Sequence, residues 1–147
     1  MCQIDINGVK ITLTKEQLKE IEKQTKDNRE IYEKVNNLNT LINHLGYNPL
    51  VYPSPSNKFE KYINACSVLA KVAEVYNEGV ILDWKNVNIY KYLPYKYYSG
   101  GSCSVAASFV VWSFTPHASA FLYYKSEKLS KESYNNFKEY WKDFWGN

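Results

Sequence analysis

"NIYKYLPYKYYSGGSCSVAASFVVWSFTPHASAFLYYKS", residues 88–126, is the stretch on which the fold turns. Aromatic and β-branched residues fill it, and two turn signals, Gly100-Gly101 and the run Thr115 to Ser119, divide it into three. The spacing predicts an antiparallel meander of strands Tyr90–Tyr98, Cys103–Phe114 and Ala118–Lys125. The middle strand is almost wholly apolar and is expected to lie centrally. Pro94 lacks an N–H and marks the first as an edge strand or one with a bulge.

Outward from that block the pattern becomes helical. "KFEKYINACSVLAKVAEVYNEG", residues 58–79, follows a cap at Ser56 or Asn57 and ends at Gly79. Its apolar positions Phe59, Tyr62, Ile63, Cys66, Leu69, Ala70, Ala73 and Tyr76 predict the central buried helix. On the other side, Ser126 caps a terminal helix with an aromatic stripe of Leu129, Phe137, Tyr140, Trp141, Phe144 and Trp145. At the N-terminus, alternation around Asn7-Gly8 predicts a β-hairpin, and Thr14 with Gln17 predicts a capping box. Apolar spacing from Leu18 to Leu45 is helical with a break near Asp27-Asn28, as one helix or two, closed by Gly46. The expected class is α+β: an N-terminal hairpin and helices, then a three-stranded meander packed on helices.

The 147 residues, 45% hydrophobic and 22% charged, are those of a single folded domain. The Pro-rich segment 47–56 joins two sub-modules, 1–46 and 57–147. A net charge of +3 is well short of a dedicated duplex-DNA binder. The three cysteines, Cys2, Cys66 and Cys103, form no pairing framework and are read as free thiols of a reducing compartment. No stretch reads as a signal peptide or membrane span.

Little in the chain points to catalysis, and no enzyme activity or cofactor is expected. His44 and His117 lie far apart and no Cys or His pair has metal-ligand spacing. Cys103 and His117 facing each other across a turn would suit nucleophilic work, but a buried cysteine and a turn histidine is the plainer reading. Asp83, Asn86 and Asn88 are expected to serve a turn in "DWKNVN". "SGGSCS" is followed by a strand rather than a helix, so it is a hairpin loop and not a phosphate cradle.

What remains is binding. Residues 84–126 carry four lysines, twelve aromatics and no acidic residue. Tyr90, Lys91, Tyr92, Tyr95, Lys96, Tyr97 and Tyr98 combine cations with stacking faces, the ingredients of a surface for single-stranded nucleic acid or a nucleotide. The lack of arginine there weakens that reading. The alternative is a protein partner or homo-oligomer met through aromatic faces, with Trp141, Phe144 and Trp145 as the interface.

Asn77-Glu78-Gly79, Asp83-Trp84, Asn86, Asn88, Tyr90-Lys91-Tyr92, Pro94-Tyr95, Lys125-Ser126 and Phe137 form a pattern. It resembles that of a group of small proteins of gut Bacteroidetes and their phages, for which no activity is established. The likeness covers roughly the last half of the chain; Val80-Ile81-Leu82 departs from it in being aliphatic. The resemblance implies provenance only: a phage-type accessory protein of a bacterial cytoplasm.

Overall fold

The structure is a computed structural model that describes residues 2–6, 9–17, 19, 29–84, 86, 88–99, 102–106 and 120–146. The described elements run β1 (Cys2–Ile6), β2 (Val9–Leu13), α1 (Ile31–Lys34), α2 (Leu38–Leu45), α3 (Lys58–Tyr76), β3 (Tyr95–Ser99) and β4 (Ser102–Ala106). A 3₁₀ turn (Ala120–Leu122), α4 (Glu127–Asn136) and α5 (Lys138–Phe144) complete them.

The centre is α3. Asn57 caps it by accepting from the Glu60 N–H at 2.9 Å. Its Ala65, Val68, Leu69, Val72, Ala73 and Tyr76 are buried, and α5 packs most extensively against it. The expected central helix is therefore present, but its buried stripe begins later than the apolar spacing predicted. Phe59 and Tyr62, in the first turns, stay exposed because the neighbouring elements do not cover that end.

Segment 47–56 has no regular structure, yet it is strapped to α3. The side chain of Asn64 accepts from the Tyr52 N–H and donates to the Tyr52 carbonyl, both at 2.8 Å. Ser67 Oγ donates to the Pro49 carbonyl at 2.7 Å. Prolines leave this strand-like segment few donors of its own, and the helix supplies the partners.

Upstream, Thr14 and Gln17 form the expected reciprocal capping box, at 3.0 and 3.2 Å, around the helical residues 15–17. The helical stretch after Arg29 is split, because Asn37 starts a new helix by accepting from the Thr40 N–H at 3.0 Å. Gly46 closes α2 in the left-handed conformation, φ 77°. The break expected near Asp27-Asn28 lies outside the described residues.

The three-stranded meander is not formed. Helix dominates, and the described strands make two separate two-stranded ladders, β1 with β2 and β3 with β4. In β1–β2, Ile6 pairs with Val9 and Cys2 with Leu13. In β3–β4, Tyr95 pairs with Ala106 and Ser99 with Ser102. The α+β meander fails for two physical reasons. The first candidate strand is pairing-competent only from Tyr95, since Pro94 offers no donor and Lys91 turns inward before it. The third begins as the 3₁₀ turn and meets the first in one bridge, Tyr92 with Tyr124. An apolar run without alternation reads the same in a strand as in a buried irregular segment. Residues 107–119, with the rest of the supposed central strand and His117, lie outside the described residues.

The terminal helix is two helices. Ser126 caps α4 as expected, accepting from the Leu129 N–H at 3.3 Å. Phe137, at φ −123° and ψ 34°, breaks the helix, and α5 then turns its aromatic face onto α3.

Candidate functional site

Three groups of residues bear on function: the tyrosine-lysine stretch, a polar lattice behind it, and an aromatic groove at the far end of α3.

The tyrosine-lysine residues do not form one surface. Tyr90 is exposed, Tyr92, Tyr95 and Lys96 are half-buried, and Lys91 is only 1% exposed. The Lys91 ammonium donates to the carbonyls of Asn86 and Ile89 at 2.9 and 2.8 Å and lies 5.5 Å from the centre of the Trp84 ring. Backbone dipoles and a ring face thus replace its water, and its charge organises its own loop. Tyr97 and Tyr98 stand in β3 opposite Ser104 and Cys103; their side chains lie outside the described residues.

Around Lys91 the polar residues of 77–92 and 123–126 knit together. Asn77 follows the last residue of α3 and is buried. Its amide donates to the Tyr123 carbonyl and its oxygen accepts from the Lys125 N–H, both at 2.8 Å. Glu78 takes φ 55°, a left-handed conformation costing roughly 1–2 kcal/mol outside glycine. The Lys125 ammonium holds its carboxylate at 2.5 Å and keeps that carboxyl below its usual range. Gly79 follows at φ 73°. Asn86 turns the next loop by accepting from the Asn88 N–H at 3.0 Å, as the sequence suggested. Trp84 packs edge-on against Tyr123 with centroids 5.1 Å apart. These bonds hold Asn77, Glu78, Asn86 and Lys91 in place, and Val80 and Ile81 stay exposed, Ile81 at 92%.

The aromatic residues of the last helix divide. Trp141 is fully buried; its Nε1 donates to Ser133 Oγ at 3.1 Å, and that hydroxyl bonds the Tyr124 hydroxyl at 2.6 Å. It is a core residue. Phe144 and Trp145 instead line a groove of about 430 Å³ with Phe59 and Tyr62 of α3. Tyr62 and Phe144 stack at 5.8 Å and 15°. Phe59 is 66% exposed and Tyr62 41%. Cys66, a free thiol one turn on, hydrogen-bonds the Tyr62 phenol and raises its pKa.

Lys58 and Lys61 stand at the rim of the groove, and neither joins an ion pair among the described residues. Glu60 lies between them, but its carboxylate turns back to the Ser56 N–H and hydroxyl at 2.6 and 2.9 Å. Those bonds lower its pKa and direct it to the helix cap. Asp143 lines the other wall. Sequence reasoning assigned Phe59 and Tyr62 to the core; the signal for an exposed pair was the lysines flanking them in "KFEKY".

Among the described residues no three His, Cys, Asp or Glu side chains gather as metal ligands. None of their buried polar side-chain atoms lacks a partner. No described helix is long and apolar enough to cross a membrane. Compared with known proteins, the chain matches no family model, no curated protein and no solved structure.

Proposed function

We propose that this chain is a small, predominantly helical binding domain without catalytic activity. Its ligand is a polypeptide segment with an aliphatic centre and acidic flanks. The observation that carries this reading is the groove between α3 and α5, where exposed Phe59 and Tyr62 lie beside Lys58 and Lys61, which join no ion pair among the described residues. Aromatic floors of this kind supply most of the energy at protein interfaces, and rim charges select the partner. The phage-type origin and cytoplasmic setting implied by the resemblance belong to the same proposal.

Single-stranded nucleic acid is the second reading, favoured by the lysine-aromatic alternation of "KFEKY". It stands behind because one face of Tyr62 is already covered by Phe144, which leaves less stacking surface for a base.

Fluorescence anisotropy separates the two. The probes are a labelled Glu-Glu-Leu-Ile-Leu-Glu-Glu peptide, the same peptide with lysine flanks, and a labelled single-stranded oligonucleotide. The acid-flanked peptide is expected to bind and to lose affinity at least about tenfold with Phe59→Ala. Oligonucleotide binding that collapses between about 50 and 200 mM salt, with no peptide binding, would transfer the groove to nucleic acid. Binding of neither would refute the site.

A further inference from the structure

Helix α3 closes one residue too early for its glycine. The Glu78 N–H donates to the Val75 carbonyl at 2.9 Å and the Gly79 N–H to the Glu74 carbonyl at 3.1 Å. These are the paired bonds that end a helix around one left-handed residue, a position glycine usually fills because it has no Cβ. Here Glu78 fills it at φ 55°, the only non-glycine residue of positive φ among the described residues, and Gly79 stands next at φ 73°. Left-handed strain outside glycine corresponds to roughly 5–30-fold in population.

Closing the helix one residue later relieves that strain. With α3 extended through Asn77, Gly79 takes the left-handed position. The Glu78 N–H then meets the Glu74 carbonyl, and the Gly79 and Val80 N–H groups close on Tyr76 and Val75. The Val80 N–H now bonds the Asn77 carbonyl at 3.0 Å, so each of these donors keeps a partner in either closure. What selects the strained closure is Lys125. Its N–H donates to Asn77 Oδ1 at 2.8 Å, and its ammonium reaches the Asn77 carbonyl at 3.4 Å and the Glu78 carboxylate at 2.5 Å. The Asn77 amide adds its bond to the Tyr123 carbonyl.

We propose that the end of α3 is a two-position switch, held in its strained closure by Lys125 and released to the Gly79 closure when the Lys125–Glu78 pair is broken. One residue of helix turns the point of exit by about 100° and advances it by about 1.5 Å. Val80, Ile81 and Leu82 ride on that exit. They wall a cavity of about 370 Å³ together with Trp84, Phe121 and Tyr123, so release moves the wall and changes access to the cavity. Acid supplies the release by protonating Glu78. The charged groups about that carboxylate are Lys125, Lys34 of α1, and Glu30 and Lys128, which line a small cavity with it. The cations prevail and hold the carboxyl below its ordinary 4.5. The pair is therefore intact at neutral pH and is lost as pH falls through the lowered value.

Nitrogen relaxation dispersion on the full chain is the test, because it reads minor states that interconvert in microseconds to milliseconds. The wild-type chain should show exchange confined to residues 77–82, with the minor-state Cα shift of Glu78 helical rather than left-handed. Glu78→Gln keeps the strain but removes the pair, so the minor population should rise about threefold. Acidifying the wild type should do the same. Glu78→Gly removes strain and pair together, so the exchange should vanish. Position 78 is exposed, so circular dichroism should show an unchanged fold for both variants. Wild-type and Glu78→Gln chains that are both silent at 77–82 overturn the inference. So does exchange that Glu78→Gly leaves intact, or a minor state that keeps residue 78 left-handed. Acid that raises exchange as much in Glu78→Gln as in the wild type overturns it too.

Discussion

Replacing Asn77 by alanine should destabilise the protein by about 2–4 kcal/mol, and the figure follows from two bonds. The Asn77 amide satisfies the buried Tyr123 carbonyl, and its oxygen satisfies the Lys125 N–H, both at 2.8 Å. Leaving a buried partner unsatisfied costs about 1–3 kcal/mol each. The Lys125 N–H is only partly buried, so water can reach it after a small rearrangement and the total falls in the lower half of the sum. Asn77→Asp is the sharper probe. It keeps an acceptor for Lys125 but sets a carboxylate oxygen against the Tyr123 carbonyl, so most of the loss should persist at neutral pH. Urea unfolding followed by tryptophan fluorescence measures it. The midpoint should fall with the slope unchanged, and the melting temperature should drop by about 4–16 °C for a chain of this size. A shift below about 0.5 kcal/mol for Asn77→Ala would refute the account of Asn77 as the anchor between the end of α3 and residues 123–125.

Further outcomes follow from the same structure. Ser133→Ala removes the hydroxyl shared by Trp141 and Tyr124 and should cost about 2–4 kcal/mol, whereas Tyr124→Phe should cost about 1 kcal/mol, both read by urea unfolding. Gly79→Ala meets open space at its added carbon but must hold φ 73°, so about 1 kcal/mol of stability should be lost through backbone strain alone. Glu60 and Glu78 both have carboxyls held below the ordinary 4.5, by Ser56 and Lys125 respectively. Their contribution is present above pH 4.5 and is lost as pH falls through the lowered values, so Glu60→Gln with Glu78→Gln should flatten the acid limb of the stability profile. Burial raises Tyr76 from 10.0 to about 12 and raises Tyr124 as well, so stability should decline as pH climbs past 10, where the unfolded tyrosines ionise first.

Local chemistry settled much of the helical architecture in advance. Thr14-Gln17, Asn57, Ser126 and Gly46 each act within a few residues of themselves, so their capping roles are legible in the linear chain and reappear in the structure. The centrality of α3 is legible for the same reason, because its apolar positions recur at helical spacing. Strand pairing is a different problem. Whether "YKYLPYKYY" and "AFLYYKS" lie side by side depends on partners thirty residues away, and here they meet only at Tyr92 and Tyr124. Burial is likewise a property of neighbours. Nothing in the sequence distinguishes Trp141, sealed in the core, from Trp145, four residues on and lining a groove, or tells that Lys91 spends its charge on its own backbone. Composition and short-range spacing determined the helix starts at Thr14, Asn57 and Ser126, but not the breaks that begin α2 after Asn37 and α5 after Phe137. Tertiary packing alone decided which aromatic rings were left facing outward, because covering a side chain requires a second element, and that element is chosen by the whole fold.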